Sequence, residues 1–121
     1  MKKKSAVIIC PGRGTYNNSD LGYLHRYHGN KIDFISSIDR YRAKSNGPSI
    51  WEIDGRSVFS FQEHVPGENS AALIYACSYG DFLDVNREKI DVVAVTGNSM
   101  GWYLALVCAG ALSVANGTHL I

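Results

Sequence analysis

The sequence lacks a strong excess of charge of either sign. Its 121 residues include 12 lysines and arginines and 11 acidic residues, which leaves a formal net charge of +1. Such a balance gives no electrostatic reason to expect a nucleic-acid partner. The length suits one domain or part of one, and a hydrophobic share of 45% is enough to build a core.

Long apolar segments are also missing. The lysines near the amino terminus precede only five apolar residues, Ala6 to Cys10, a run too short for the core of a signal peptide. No later run approaches the roughly 20 residues needed to cross a bilayer. We therefore expect no membrane partner and a cytoplasmic location.

Cysteines are few, and possible metal ligands are scattered. Cys10, Cys77 and Cys108 are an odd number of thiols in apolar runs without metal-like spacing, which favours buried, reduced side chains. His25 and His28 are three residues apart, but their polar tract brings no further ligands. The sequence therefore predicts neither a bound metal nor a cofactor.

Two apolar, β-branched runs are typical of buried strands. The first, residues 6–10, stops at Pro11 and Gly12, and the second spans residues 92–97. A largely buried helix is predicted between them, because residues 69–83 carry apolar side chains on more than one face. Continuous apolar strands with a buried helix between them predict an α/β fold, with a parallel sheet covered on both faces by flanking helices.

The remaining elements follow from helical spacing and from turn residues. Apolar residues recur at helical spacing in residues 31–44, whereas residues 56–65 alternate weakly and fit a short strand or an ordered loop. A further helix is predicted after residue 100. The predicted caps and turns are an N-cap at Asn69 or Ser70, a helix end near Gly110, and a turn at Asn116-Gly117.

The second predicted strand breaks at Gly97-Asn98-Ser99-Met100-Gly101, and a helix follows. Gly-x-Ser-x-Gly between a strand and a helix is the pattern of a nucleophile elbow, a turn so sharp that the serine backbone is strained. Gly97 and Gly101 let the strand and the helix approach each other. Ser99 Oγ then stands at the helix N-terminus, where the Met100 amide can donate to an oxyanion. The alternative is a glycine-rich turn whose serine only caps the helix.

A second oxyanion donor is expected from the loop after the first strand. In the loop of residues 10–16, Gly12 and Gly14 would let the backbone of Arg13 turn inward. A phosphate-binding loop is the competing interpretation, but this loop is too short and lacks the lysine of a nucleotide P-loop. We therefore expect the Arg13 amide to face the same space as the Met100 amide.

PGRGTY, at residues 11–16, and TGNSMGWYLALVCAGALS, at residues 96–113, occur in this order. They resemble the Pro-Gly-Gln-Gly-Ser-Gln and Gly-His-Ser-Leu-Gly-Glu-Tyr-Ser-Ala-Leu-Val-Ala-Ala-Gly segments of malonyl-CoA:acyl carrier protein transacylases. Residues 70–83 stand where that family has a buried Gln-Pro-Ala-Leu helix. The resemblance implies the α/β-hydrolase-like large subdomain of an acyltransferase.

The resemblance also implies a reaction and its partners. An acyl group, malonyl or a related one, would pass from a coenzyme A thioester to the phosphopantetheine thiol of an acyl carrier protein. Ser99 would carry that group as an ester, and the amides of Arg13 and Met100 would hold the oxyanion. Such enzymes serve fatty acid or polyketide biosynthesis, and the coenzyme A thioester is a substrate rather than a cofactor.

Several residues depart from the family. Asn98 replaces a histidine, Trp102 replaces a glutamate, and no Asp or Glu follows Ser99. A serine needs a base within hydrogen-bond reach, and His119, the one histidine after it, is expected to be an ordinary surface residue. We therefore interpret residues 1–121 as the N-terminal part of a single acyltransferase domain, truncated before its small subdomain and inactive as it stands.

Two other functions remain compatible with the sequence. A patatin-like or α/β-hydrolase-type serine hydrolase shares the elbow, although residues 12–16 and 106–113 argue against it. A non-catalytic fragment or subunit, completed by another chain, is the third possibility.

Overall fold

The computed structural model describes residues 2–121. That part of the chain holds two strands, seven α-helices and two short 3₁₀ turns, at Asn18–Asp20 and Gly29–Lys31. The strands are β1 (Lys4–Cys10) and β2 (Ile90–Gly97). The helices are α1 (Tyr23–Tyr27), α2 (Ile32–Ala43), α3 (Ile50–Asp54), α4 (Phe61–His64), α5 (Gly67–Leu83), α6 (Gly101–Cys108) and α7 (Val114–Leu120).

The two strands pair in parallel, as their continuous apolar sequences predict. Lys4 pairs with Ile90 and Cys10 pairs with Gly97, with one irregularity between these ends. A parallel pair needs a long crossover, and here five of the helices lie between the strands. The fold is therefore a mixed α/β fold built on a small parallel sheet.

The sheet is covered by helix on one face only. Helix α6 packs against both strands. On the outer face Val7, Ile9 and Val93 are 54%, 73% and 58% exposed. The expectation that both faces are covered is therefore wrong for the described residues. Apolar side chains on both faces of a strand show what the strand can bury, and they do not show which elements cover it.

Helix α5 forms the centre of the core. Its residues 70–76 are buried, and the Tyr75 hydroxyl donates a 2.8 Å hydrogen bond to the carbonyl of Val114. The predicted N-cap at Asn69 or Ser70 is wrong, because the helix begins at Gly67 after Pro66. Pro66 has a φ of −50°, which starts the helix earlier than the polar side chains suggest.

The weakly alternating segment, residues 56–65, contains no strand. It is a loop followed by α4, and the ring of His64 at the end of α4 is fully buried. His64 Nε2 donates to the carbonyl of Ile53 at 2.6 Å, and Nδ1 accepts from the amide of Ser60 at 3.0 Å. The buried histidine therefore fixes this segment against α3.

The carboxyl-terminal residues form a helix instead of the predicted turn. Helix α6 ends at Cys108, close to the predicted end near Gly110, and Gly110 adopts a φ of +77°. Ser113 Oγ caps α7 by accepting from the amide of Asn116 at 3.1 Å. A Cβ at Gly117 would lie 2.5 Å from Val107 Cγ2, so this glycine allows close helix packing and does not end a helix. No helix within residues 2–121 is long and apolar enough to cross a membrane.

Candidate active site

The turn between β2 and α6 holds its serine in a strained conformation. Ser99 has a φ of +55°, and within residues 2–121 Asn46 is the only other non-glycine residue in the left-handed region. Such a backbone costs an L-residue about 1–2 kcal/mol and is often found at functional sites. The Ser99 residue is exposed to solvent. This conformation is the one that a nucleophile elbow requires.

The two flanking glycines are sterically required at this turn. A Cβ at Gly97 would overlap the carbonyl of Gly101. A Cβ at Gly101 would overlap the carbonyl of Cys10 and would lie 2.8 Å from that of Pro11. The Gly101 amide donates to the carbonyl of Asn98 at 2.9 Å, which closes the turn. Strand and helix therefore approach as closely as the sequence predicts.

The loop after β1 lies against the same turn. A Cβ at Gly12 would be 2.8 Å from the carbonyl oxygen of Asn98 and 3.1 Å from Ser99 Cβ. Gly14 has a φ of +84°, which favours glycine. The Asn98 amide also donates to the carbonyl of Cys10 at 3.2 Å. The fold thus brings together the two glycine-rich motifs that the sequence singles out.

The backbone amides of Arg13 and Met100 are the two predicted oxyanion donors. Within the described part of the chain, neither the Arg13 amide nor the Met100 amide donates a hydrogen bond to a backbone or side-chain acceptor. Thr15 Oγ1 holds the loop by donating to the carbonyl of Gly12 at 2.9 Å. An N–H group without an acceptor in the protein is free to donate a hydrogen bond to an oxyanion.

A cavity of about 910 Å³ adjoins the same loop. Arg13 and Gly14 line it on the loop side, and Phe59 and Phe61 contribute apolar walls. Ser70 lines it from α5. Ser99 and Met100 do not line this cavity.

Neither His64 nor His119 contacts the serine. Both ring nitrogens of His64 are bonded to backbone groups of Ser60 and Ile53. His119 is exposed, as expected, and its ring centroid lies 4.2 Å from that of Tyr41 on α2. Both histidines are therefore engaged away from Ser99.

The other two histidines face different carboxylates. His25 Nδ1 lies 2.8 Å from an oxygen of Asp54, whereas His28 Nε2 lies 2.8 Å from one of Asp81. Within residues 2–121 no group of three or more His, Cys, Asp or Glu side chains is arranged to hold a metal ion.

One buried network has no signal in the sequence. Asp54 is fully buried, and it accepts hydrogen bonds from the Tyr16 hydroxyl at 2.7 Å and from His25 Nδ1 at 2.8 Å. Burial and the bond to Asp54 raise the pKa of Tyr16 above its ordinary value of 10.0. Tyr16 directly follows the loop of residues 12–14, so this network anchors that loop to α1 and α3.

No protein-family model, curated protein or solved structure matches the chain. Any functional assignment therefore rests on the residues of the site themselves.

Proposed function

We propose that Ser99 is the acyl-accepting nucleophile of an acyltransferase similar to malonyl-CoA:acyl carrier protein transacylases. The main support is the φ of +55° at Ser99, between glycines that admit no side chain. A serine that only caps a helix does not need this backbone, because N-cap residues normally lie in the β region. The family resemblance then selects acyl transfer among the reactions that a nucleophile elbow serves.

The proposed reaction has two half-reactions at one serine. Ser99 Oγ attacks the thioester carbonyl, its proton passes to a base, and the oxyanion accepts hydrogen bonds from the amides of Arg13 and Met100. Collapse of this intermediate releases coenzyme A as the thiol and leaves a seryl ester. The phosphopantetheine thiol of a carrier protein then attacks the ester, and Ser99 regains its proton.

None of the four histidines can act as the base for Ser99 while it keeps its present contacts. Two histidines are bonded to carboxylates, one is bonded to backbone groups in the core, and one packs against Tyr41 of α2. In this proposal the base comes from a segment or chain that lies over the elbow. We therefore expect Ser99 to be positioned here without being activated.

Arg13 suits an acidic acyl group. Its side chain lines the 910 Å³ cavity, and Nη1 lies 3.5 Å from the Cβ position of Gly67, at the start of α5. Its positive charge favours the approach of an acidic substrate to this loop, whereas the group that would bind the oxyanion is its backbone amide.

An external base tests the proposal on the chain as it is. The protein is incubated with malonyl-CoA, with and without added imidazole, and digested with trypsin. Ser99 lies in the tryptic peptide of residues 90–121. We expect imidazole to increase a malonyl adduct on this peptide, and Ser99→Ala to abolish it. Ser113→Ala is the matched control, because Ser113 lies in the same peptide but caps α7.

An adduct that survives in Ser99→Ala, or no adduct with imidazole, would contradict the proposal. Addition of an acyl carrier protein separates two outcomes of a positive result. Transfer of malonyl to the carrier supports the transferase, whereas release of malonate alone identifies a serine hydrolase.

A further inference from the structure

Two thiols meet between the end of β1 and the last turn of α6. Cys10 is the last residue of β1, Cys108 is the last residue of α6, and α6 packs against β1. Both side chains line one surface cavity of about 310 Å³, which α5 closes on the opposite side. Both cysteines are free. They are far apart in the sequence, and only the fold brings them together.

The contact gives the two sulfurs different chemistry. The interaction with the Cys108 side chain lowers the pKa of Cys10, which favours its nucleophilic thiolate. The same interaction, together with burial, raises the pKa of Cys108. Cys77 provides a contrast, because burial and the charge of Asp54 raise its pKa and neither other thiol lines its cavity.

A small oxidant can reach the pair through the cavity. Cys10 is only 3% exposed, but Ile9 at the rim is largely in solvent and Cys108 is half-buried. Asp81 lines the same cavity, and its carboxylate already accepts hydrogen bonds from Tyr23 and His28. These hydrogen bonds therefore stabilise the negative charge of Asp81 near the thiols.

We propose that Cys10 and Cys108 are a redox-active pair that a hydroperoxide oxidises to an intramolecular disulfide. The Cys10 thiolate attacks the peroxide oxygen, the O–O bond breaks, and hydroxide leaves as Cys10 becomes a sulfenic acid. The Cys108 sulfur then attacks the Cys10 sulfur, an S–S bond forms, and water leaves with the thiol proton. Overall, two thiols and one hydrogen peroxide give one disulfide and two waters.

This modification site lies directly behind the elbow. The Cys10 carbonyl accepts the Asn98 amide and lies against Gly101, and α6 then runs from Gly101 to Cys108. A bridge between the two sulfurs therefore ties both ends of α6 to the same strand residue. The inference does not depend on the proposed acyl transfer.

Peptide mapping tests the pair directly, because trypsin places each cysteine on its own peptide. Cys10 lies in residues 5–13, Cys77 in residues 57–87 and Cys108 in residues 90–121. The protein is treated with hydrogen peroxide, its remaining thiols are alkylated with iodoacetamide, and the digest is analysed without reduction. We expect peptides 5–13 and 90–121 to appear linked, two hydrogen atoms lighter than their sum, with Cys77 alkylated.

Variants separate the two chemical steps. Cys77→Ser, the matched control, is expected to form the same link. Cys108→Ser is expected to stop at the Cys10 sulfenic acid, which dimedone traps on peptide 5–13. A mixture of ¹⁵N-labelled and unlabelled protein distinguishes a link within one chain from a link between two. Links to Cys77, links between chains only, or complete alkylation of both Cys10 and Cys108 after peroxide would each overturn the proposal.

Discussion

Ser99→Gly should stabilise the protein, although it removes the proposed nucleophile. The φ of +55° destabilises an L-residue by about 1–2 kcal/mol, whereas glycine adopts this φ without that cost because it has no Cβ. Glycine also makes the unfolded chain more flexible, which costs about 0.5–1 kcal/mol. At the middle of each range the difference is a gain of about 0.75 kcal/mol in the free energy of unfolding.

Thermal unfolding followed by circular dichroism measures this gain. An unfolding entropy of about 2.1 cal/mol/K per residue, over 121 residues, converts the gain into a rise of about 2–4 °C in Tm. Ser99→Ala keeps the Cβ and the strain, so its Tm should stay close to the starting value. Asn46→Gly is the matched control at φ +60°, and its rise should be smaller because asparagine tolerates this region better.

The reasoning is refuted if Ser99→Gly has a Tm equal to or below that of Ser99→Ala. Such a result would mean that the backbone of residue 99 is not strained in solution. It would also remove the main support for a nucleophile elbow.

Three further predictions concern the loop and its anchor. In the presence of imidazole, Arg13→Gln should keep most of the malonyl adduct. Gly14→Val should slow formation of the adduct by a factor of about 10²–10³, which is the effect of losing one oxyanion donor. The space around Gly14 is open, so this loss comes from its φ of +84° and not from a clash. Equal losses in the two variants would show that the Arg13 guanidinium matters instead. Asp54→Asn should lower the free energy of unfolding by about 1–3 kcal/mol in urea titrations, because an amide cannot accept from both Tyr16 and His25 as the carboxylate does; an unchanged midpoint would contradict this. The raised pKa of Tyr16 favours its neutral form in the folded state, so its contribution is complete below the unfolded value of 10.0 and is lost as pH rises above it. Tyr16→Phe should therefore show a shallower loss of stability between pH 9 and 11, and an unchanged slope would count against the role of Tyr16.

The parts of the site that depend on neighbouring residues could be predicted from the sequence. Gly97, Ser99 and Gly101 define their own turn, because the close approach of strand and helix forbids side chains at both glycines. The two strands were equally predictable, since continuous β-branched runs are typical of a parallel sheet. The roles assigned to Arg13 and Met100 stay predictions.

The parts that depend on distant residues could not be predicted. Asn116-Gly117 has the composition of a turn, but packing of Gly117 against Val107 makes it helical. Asp54 lies in a polar stretch, and only the fold shows that it joins Tyr16 to His25. In each case a tertiary contact overrides or adds to the local signal.

The pairing of β1 with β2 also sets the order in which the site can assemble. Lys4 and Ile90 are partners although 86 positions separate them, so closing this contact brings a large loss of chain entropy before any strand hydrogen bond forms. On a ribosome adding about 5–20 residues per second, β1 waits about 4–17 s for β2 to be made. The contact between Gly12 and Ser99 cannot exist until that pairing is complete. During this interval the backbone groups of β1 that later pair with β2 have no strand partner.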